Sequence, residues 1–471
     1  MLIGCGRHAK RNHLPVLFAM QDTWKQLVIV DLKENIEEIR SHIVTAYGTV
    51  DQKVVYVGID TSVEHFPANG YDLPLGAKTV LNQALAAYNV DKVIISTDPE
   101  YHVAYACWAL TEAKNVLMDK PISAPANLRT DPQAVARIYA DYQYIYDALV
   151  SARKTNPGLV CNILAQRRYH VGFQEVLRLI EEISNDYGVG VTAFQSLHSD
   201  GQWRPPLEII SQDYHGYNRG YGKGMHSGYH AIDIVNYLTE KSLSGRNLDT
   251  SVQSNFVYPD DYLAAFPAKR QYEIFGYSLD PKQESLIDRE LTSTNSLSYG
   301  EISGHLTLNY KNEQGKKVAS GVISILHDGV SQRDWAEASG KDLYKNGRTR
   351  HESHYFVSGP LQAIKIMAYE SDDRKQAAGI GIGEAYNFDI HVFRNSGIIK
   401  DSPAYRYISI ERLYRDKGLK LQDPLKDSRA FGIHEFFECV AQKKISTLSD
   451  YTSHIGTMKL LTAMYESALS S

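Results

Sequence analysis

Lys120, His226 and His230 are the side chains of this 471-residue chain whose types and settings suit proton and charge transfer. Lys120 stands between Asp119 and Pro121, directly after the apolar run Val116-Leu117-Met118. A lone lysine is ordinarily a surface residue, but the carboxyl end of a strand is where open α/β sheets gather their ligands. His226 and His230 belong to the glycine-rich stretch 221–233. A helix starting near Ser227 would set them about a turn apart, facing one site. A neutral imidazole can take the hydroxyl proton of an alcohol as its carbon loses hydride. A cation such as Lys120 steadies the alkoxide that develops, and burial lowers the pKa of its amine. Asp233, near one turn beyond His230, can orient the imidazole or contact a ligand; it can equally bond nearby backbone. Either histidine alone reads as a helix-start residue. A zinc pair H-x-x-x-H is the poorer reading, because no Glu lies between the two and no third ligand is assigned, so no metal is expected.

Loss of hydride needs an acceptor, and the chain begins with a place for one. Leu2-Ile3-Gly4-Cys5-Gly6-Arg7-His8-Ala9 reads as a strand, a tight turn and a helix start with the spacing G-x-G-x-x-A. Gly4 makes the turn, Gly6 lets backbone approach a pyrophosphate, and Ala9 lets the helix lie close to its strand. Free N–H groups at the helix start, with Arg7 and His8 beside them, then form an anion site. Ordinary glycine turns share this spacing. Here it is followed by Gln26-Leu27-Val28-Ile29-Val30-Asp31, a buried strand ending in an acid 25 positions after Gly6, where a dinucleotide fold places its ribose ligand about 20 residues on. Asp31 disfavours a ribose phosphate, so NAD is preferred to NADP; Arg7, Lys10 and Arg11 leave NADP open.

Strand-like and helical runs alternate down to residue 165, which implies a parallel sheet with helices on both faces. Asp91-Lys92-Val93-Ile94-Ile95-Ser96 ends at Thr97-Asp98-Pro99, so these three residues are expected to flank the cofactor together with Asp119 and Lys120. His102, in the next helix's first turn, faces the same crevice or caps and packs. Residues 60–75, with Pro67, Gly70 and Pro74, read as a loop, and residues 132–154 as a long helix opened by Pro132. Beyond Arg168-Tyr169 the character changes. An amphipathic helix at 173–183 precedes strand-like segments at 190–197, 304–310 and 318–326, the last two joined by a turn containing Asn312 and Gly315. Residues 269–300 read as a loop-rich insertion. The expected domains are 1–165 and 166–471.

A net charge of −5 gives no electrostatic case for nucleic acid or an anionic membrane. No run approaches 18 apolar residues and no basic-then-apolar leader precedes the first strand, so a cytoplasmic protein is expected. Cys5, Cys107, Cys161 and Cys439 form no C-x-x-C pair and read as reduced residues. Tyrosine outnumbers phenylalanine 32 to 13; amphipathic rings suit a polyhydroxylated ligand, and a compositional bias explains them as well.

Several of these stretches together resemble the Gfo/Idh/MocA oxidoreductases, the family of glucose-fructose oxidoreductase and inositol dehydrogenase. They are Gly4-Cys5-Gly6 with His13-Leu14-Pro15, Thr97-Asp98-Pro99 with His102, Asp119-Lys120-Pro121, the pair Arg168-Tyr169, and Gly222 through Asp233. Asp98 stands where that family often has proline, Asp119 replaces its Glu, and His226 replaces the acid that usually precedes the catalytic His by four positions. The resemblance implies a Rossmann domain followed by an α+β domain with a large, mostly antiparallel open sheet. It also implies a dimer or tetramer, and Lys120 and His230 as the retained catalytic pair acting on a sugar, cyclitol or sugar derivative. Arg168, Tyr169 and Asp233 would then contact substrate, and the role of His226 is open. Two rival readings are an NAD-dependent glycosidase or eliminase on the same scaffold and a nucleotide sensor without catalysis.

Overall fold

The short β-branched runs of the first third pair as one parallel sheet in the computed structural model, which describes residues 1–60, 70–212, 216–244, 248–334, 347–372 and 386–470. These strands are β1 (Leu2–Ile3), β2 (Leu27–Leu32), β3 (Val54–Ile59), β4 (Lys92–Ile95), β5 (Asn115–Met118) and β6 (Cys161–Ile163). Their order is β3-β2-β1-β4-β5-β6, so the winding reverses between β1 and β4, where such sheets open a ligand crevice. Gly4, Asp31, Thr97 and Asp119 all lie at or next to the carboxyl ends of these strands. Strands buried on both faces need apolar residues throughout, and Val28, Ile29 and Val30 are buried.

The chain forms two compact units that interleave in sequence: Met1–Ala124, Tyr139–Tyr169 and Leu425–Ile455 make one, and Pro125–Ile138, His170–Pro424 and Gly456–Ser471 the other. The division therefore differs from a single boundary at 165. In the first unit, Ile433 and Phe436 of the returning segment join Leu2, Leu17, Ile29, Ile94, Leu117 and Leu164 in one core. Nothing local in residues 425–455 announces this return, because an apolar helix face does not say which sheet it covers.

The second unit is built on eight strands: β7 (Ala193–Ser199), β8 (Asp249–Val257), β9 (Ser303–Lys311), β10 (Lys317–Leu326), β11 (Thr349–Ser358), β12 (Gln362–Asp372), β13 (Phe388–Arg394) and β14 (Tyr405–Ser409). Their order is β14-β13-β12-β11-β7-β10-β9-β8. Neighbours are antiparallel except β7 and β10. The turn between β9 and β10 is held by Asn312, whose amide donates to Lys316 O at 2.9 Å and whose Oδ1 accepts from Gln314 N and Lys316 N. Helices Val171–Tyr187 and Gly228–Ser242 pack against each other. The latter also lies on β7 and β10. In the former, Phe173, Val176, Leu177, Ile180 and Ile183 recur at helical spacing and are buried.

Residues 269–300 are not the loop-rich insertion expected. They hold helices Ala268–Ile274 and Pro281–Ile287, a π turn and a 3-10 turn. Tyr272, Ile287, Leu291 and Tyr299 share a core with Ile209, Tyr217, Tyr262 and Leu263. The overlooked signal is Asp280-Pro281-Lys282-Gln283: Asp280 accepts from the amides of Lys282 and Gln283, and the Gln283 side chain accepts from Asp280 N, a reciprocal cap with proline at the first helical position. Of the loop expected at 60–75, residues 61–69 lie outside the described residues, and helix Leu75–Ala87 starts directly after Pro74. The four cysteines are free thiols. Among the described residues no helix is long and apolar enough to cross a membrane.

Candidate active site

In the first unit the turn after β1 uses its two glycines differently. Gly4 has φ +83°, and a Cβ there would lie 2.6 Å from Ser96 O, a backbone atom that cannot give way. Its amide also donates to Val30 O at 2.9 Å. Gly6 is exposed, has an ordinary φ of −73°, and a Cβ on it would meet no described atom within 4 Å. The helix that follows comes in two pieces. Arg7–Asn12 ends at His13 and Leu14–Ala19 begins anew, because Pro15 has no N–H and its ring crowds the carbonyl four residues back. Arg7 and His8 are exposed on the first piece. Asp31, half-buried, accepts from Cys5 N at 2.6 Å, Leu32 N at 2.8 Å and Asn35 Nδ2 at 2.8 Å. It thus braces the glycine turn from the neighbouring strand.

Thr97 is half-buried, Asp98 exposed and Pro99 half-buried at the end of β4. Pro99 opens a 3-10 turn before helix His102–Thr111. His102 does not face outward as a ligand contact would. It is buried, with Nδ1 2.8 Å from Pro121 O and Nε2 3.1 Å from Thr97 O, so it ties the end of β4 to the residue after Lys120. Burial lowers its pKa. Asp119 is likewise an interior group. Ser96 Oγ donates to it at 2.6 Å, and His13 Nε2 lies 3.0 and 3.1 Å from its two oxygens. Burial alone would raise its pKa, but His13 and His8, with the bonds from His13 and Ser96, hold the carboxyl well below the ordinary carboxylate range. Lys120, next along, is half-buried. His13 and Ser96 were not legible as partners of Asp119, since they lie 106 and 23 positions away.

His8, His13 and Asp119 each offer one ligand atom within 4.8 Å of the others. The surrounding bonds do not suit a metal. A histidine that ligates through Nε2 carries its proton on Nδ1 and normally gives it to an acceptor. His13 Nδ1 has no hydrogen-bond partner among the described residues, and His8 Nδ1 faces the Asn12 Nδ2 donor at 3.3 Å. The cluster is a clamp on Asp119.

Arg168 and Tyr169, expected as ligand contacts, lie in the interior of the same unit. Arg168 is fully buried and donates to Leu448 O at 3.2 Å and Ser453 Oγ at 2.8 Å; Tyr169 is buried and donates to Glu435 Oε2 at 2.7 Å. Both fasten the returning segment 425–455.

In the second unit, helix Gly228–Ser242 begins one residue after the expected start. Its approach is tight: a Cβ on Gly222 would lie 2.0 Å from Glu301 O, and one on Gly228 2.6 Å from Lys223 O. His226 therefore precedes the helix. It is buried, its ring edge-on to Tyr217 and Tyr221 with centroids 5.8 and 5.4 Å away. His230 is half-buried in the first turn, and its amide donates to Ser227 O at 3.2 Å. The two imidazoles expected to face one site thus have different surroundings, and only His230 retains solvent access of the kind an acid/base needs. Asp233 is buried and accepts from Thr457 Oγ1 at 2.8 Å. Glu301 is a group the sequence did not single out: it is buried, and its Oε1 accepts from Gly224 N and Tyr465 Oη, each at 2.7 Å. Burial pushes its pKa up to about 7 against those bonds.

Residues 1–139 match the sequence model of the Gfo/Idh/MocA group, described as an oxidoreductase family with an NAD-binding Rossmann fold. No curated protein sequence matches the chain. Among solved structures, a levoglucosan dehydrogenase in complex with NADH and levoglucosan superposes with a TM-score of 0.56 at 14% identity, covering 100% of this chain and 96% of that one. The WlbA dehydrogenase from Bordetella pertussis, in complex with NADH and UDP-GlcNAcA, gives 0.57 at 15% identity over 100% and 94%. An aldose-aldose oxidoreductase from Caulobacter crescentus, complexed with glycerol, gives 0.54 at 13% over 100% and 96%. At these identities the likeness is one of fold.

Proposed function

Since residues 1–139 match the NAD-binding Rossmann fold of the Gfo/Idh/MocA oxidoreductase family, we propose that the chain is an NAD-dependent dehydrogenase acting on a secondary alcohol of a sugar, a cyclitol or a sugar derivative. The observation that carries the cofactor assignment is Gly6. Neither its backbone angle nor its neighbours require glycine, whereas a pyrophosphate lying on the turn does. Gly4, Gly6 and the amides of Arg7 and His8 would hold the diphosphate, Asp31 the ribose hydroxyls, and Thr97, Asp98 and Pro99 the rim. NAD, when bound, supplies the hydride acceptor.

His230 is the general base that takes the hydroxyl proton, and Lys120 the cation that steadies the developing alkoxide. Half-burial suits both, since each must reach a ligand and still feel a reduced dielectric. The clamp on Asp119 fixes the main chain next to Lys120, so the lysine stem starts from a rigid point.

Purified protein is assayed for NADH formation with levoglucosan, aldoses, a uronate sugar and myo-inositol. On whichever substrate is oxidised, Lys120→Ala should reduce turnover by about 10² or more while leaving NAD affinity unchanged. Unaltered turnover removes Lys120 from the mechanism. Failure of every member of the panel counts against the dehydrogenase.

A further inference from the structure

Lys223, which neither the sequence motifs nor the proposed chemistry uses, is fully buried. Its ammonium donates to an Asp200 carboxylate oxygen, to His198 Nδ1 at 3.1 Å and to Ser227 Oγ at 2.8 Å. An ammonium has three donors, and all three are engaged. Ser227 is the N-cap residue of the helix that carries His230, yet its hydroxyl makes no bond to the helix backbone and instead donates to the same Asp200 oxygen. The other Asp200 oxygen accepts from Arg348 at 2.7 Å. The main chain of Lys223 adds two bonds, its amide to Glu301 O at 2.8 Å and its carbonyl from Gly228 N at 2.9 Å. One residue thus ties the end of β7, the 301 segment and both residues of the 227–228 turn together.

Simple packing does not account for this arrangement. A methionine would fill the space without the desolvation that a buried ammonium incurs, and replacing buried ion pairs by apolar residues is often neutral or stabilising. What an apolar side chain cannot do is hold a hydroxyl and a carboxylate at fixed positions. We infer that Lys223 is a positioning residue whose three bonds set the 226–228 turn and, through it, the direction in which His230 leaves the helix. The inference rests on His230 being the acid/base group of the proposed dehydrogenase.

The test uses the full chain. Lys223→Met keeps the aliphatic stem and removes the three bonds. Amide exchange at Gly228 and His230, whose acceptors are Lys223 O and Ser227 O, should quicken about tenfold while amides of β2 and β5 stay as they are. On a substrate the wild type oxidises, kcat should fall about 10²-fold, with KM altered by less than about threefold. A companion Lys223→Met/Asp200→Asn variant removes both charges; its melting temperature should return toward wild type while kcat stays low. Recovery of kcat together with the melting temperature overturns the inference. So does unchanged exchange at Gly228 and His230 in the single variant. A wild type inactive on the whole panel, with exchange still quickened by Lys223→Met, refutes the dehydrogenase and leaves the positioning of the turn standing.

Discussion

Asp31 carries one carboxylate and three donors from the protein itself, two of them backbone amides. A carboxylate has about four acceptor directions, so room remains for a ribose hydroxyl, and the bond from Cys5 N ties that hydroxyl's partner to the glycine turn. The same negative charge repels a ribose phosphate. Asp31→Ser keeps a small acceptor and removes the charge, so the ratio of NADP to NAD affinity, read by cofactor fluorescence titration, should rise about tenfold or more. A ratio that does not move means another residue meets the ribose. Asp31 and Lys120 stand out in the sequence for one reason: each stands at the end of a short apolar run, and strand ends are where an α/β sheet presents chemistry. Asp119 met the same criterion, whereas His102 was read from the first turn of a helix, Arg168 from the arginine-aromatic pair and Asp233 from the stretch that carries His230. Their buried partners, His13, Pro121, Ser453 and Thr457, come from distant parts of the chain that no local pattern connects.

Between the first strand and its helix, the two glycines of one turn make separable demands. Gly4→Ala combines a left-handed φ with a Cβ pressed against the Ser96 carbonyl, so it should lower stability by about 2 kcal/mol or more. Gly6→Ala meets nothing and should leave the melting temperature equal or slightly higher, yet weaken NAD binding at least tenfold, because the added methyl occupies the space a diphosphate needs. Equal NAD affinity in wild type and Gly6→Ala sinks the cofactor site as drawn. The loop before His230 makes a different demand through Glu301. Its raised pKa means that the folded chain holds the proton more tightly than the unfolded one, so stability falls as pH rises from about 4.5 to about 7 and is level above. Glu301→Gln keeps an acceptor for Gly224 N and Tyr465 Oη and removes the titration. Its stability relative to wild type should therefore grow by roughly 3 kcal/mol between pH 4.5 and pH 8, followed as the difference in melting temperature. A pH-independent difference shows that the carboxyl is not the titrating group. Glycine spacing made the first turn readable, whereas Glu301 reads from sequence as any acid in a polar stretch.

Because the chain leaves the first unit at residue 169 and returns over 425–455, the dinucleotide-binding half is not a contiguous piece. Sequence alternation located its strands and could not supply this return, since a helix that covers a sheet from 260 residues away carries the same periodicity as one that covers its neighbour. The energetic consequence is large. Without the returning segment, residues 1–169 lose Ile433 and Phe436 from their core, and removing a large core side chain costs about 2–5 kcal/mol each. Arg168 also loses Leu448 O and Ser453 Oγ, and Tyr169 loses Glu435. These losses are of the same order as the net stability of a domain, about 5–15 kcal/mol. Residues 1–169 expressed alone should show no cooperative thermal transition by circular dichroism. The same fragment joined through a flexible linker to residues 425–455 should regain one and bind NAD. A cooperative melt of residues 1–169 by themselves would show that the return adds nothing to the fold of the first unit, and the anchoring assigned to Arg168 and Tyr169 would fall with it.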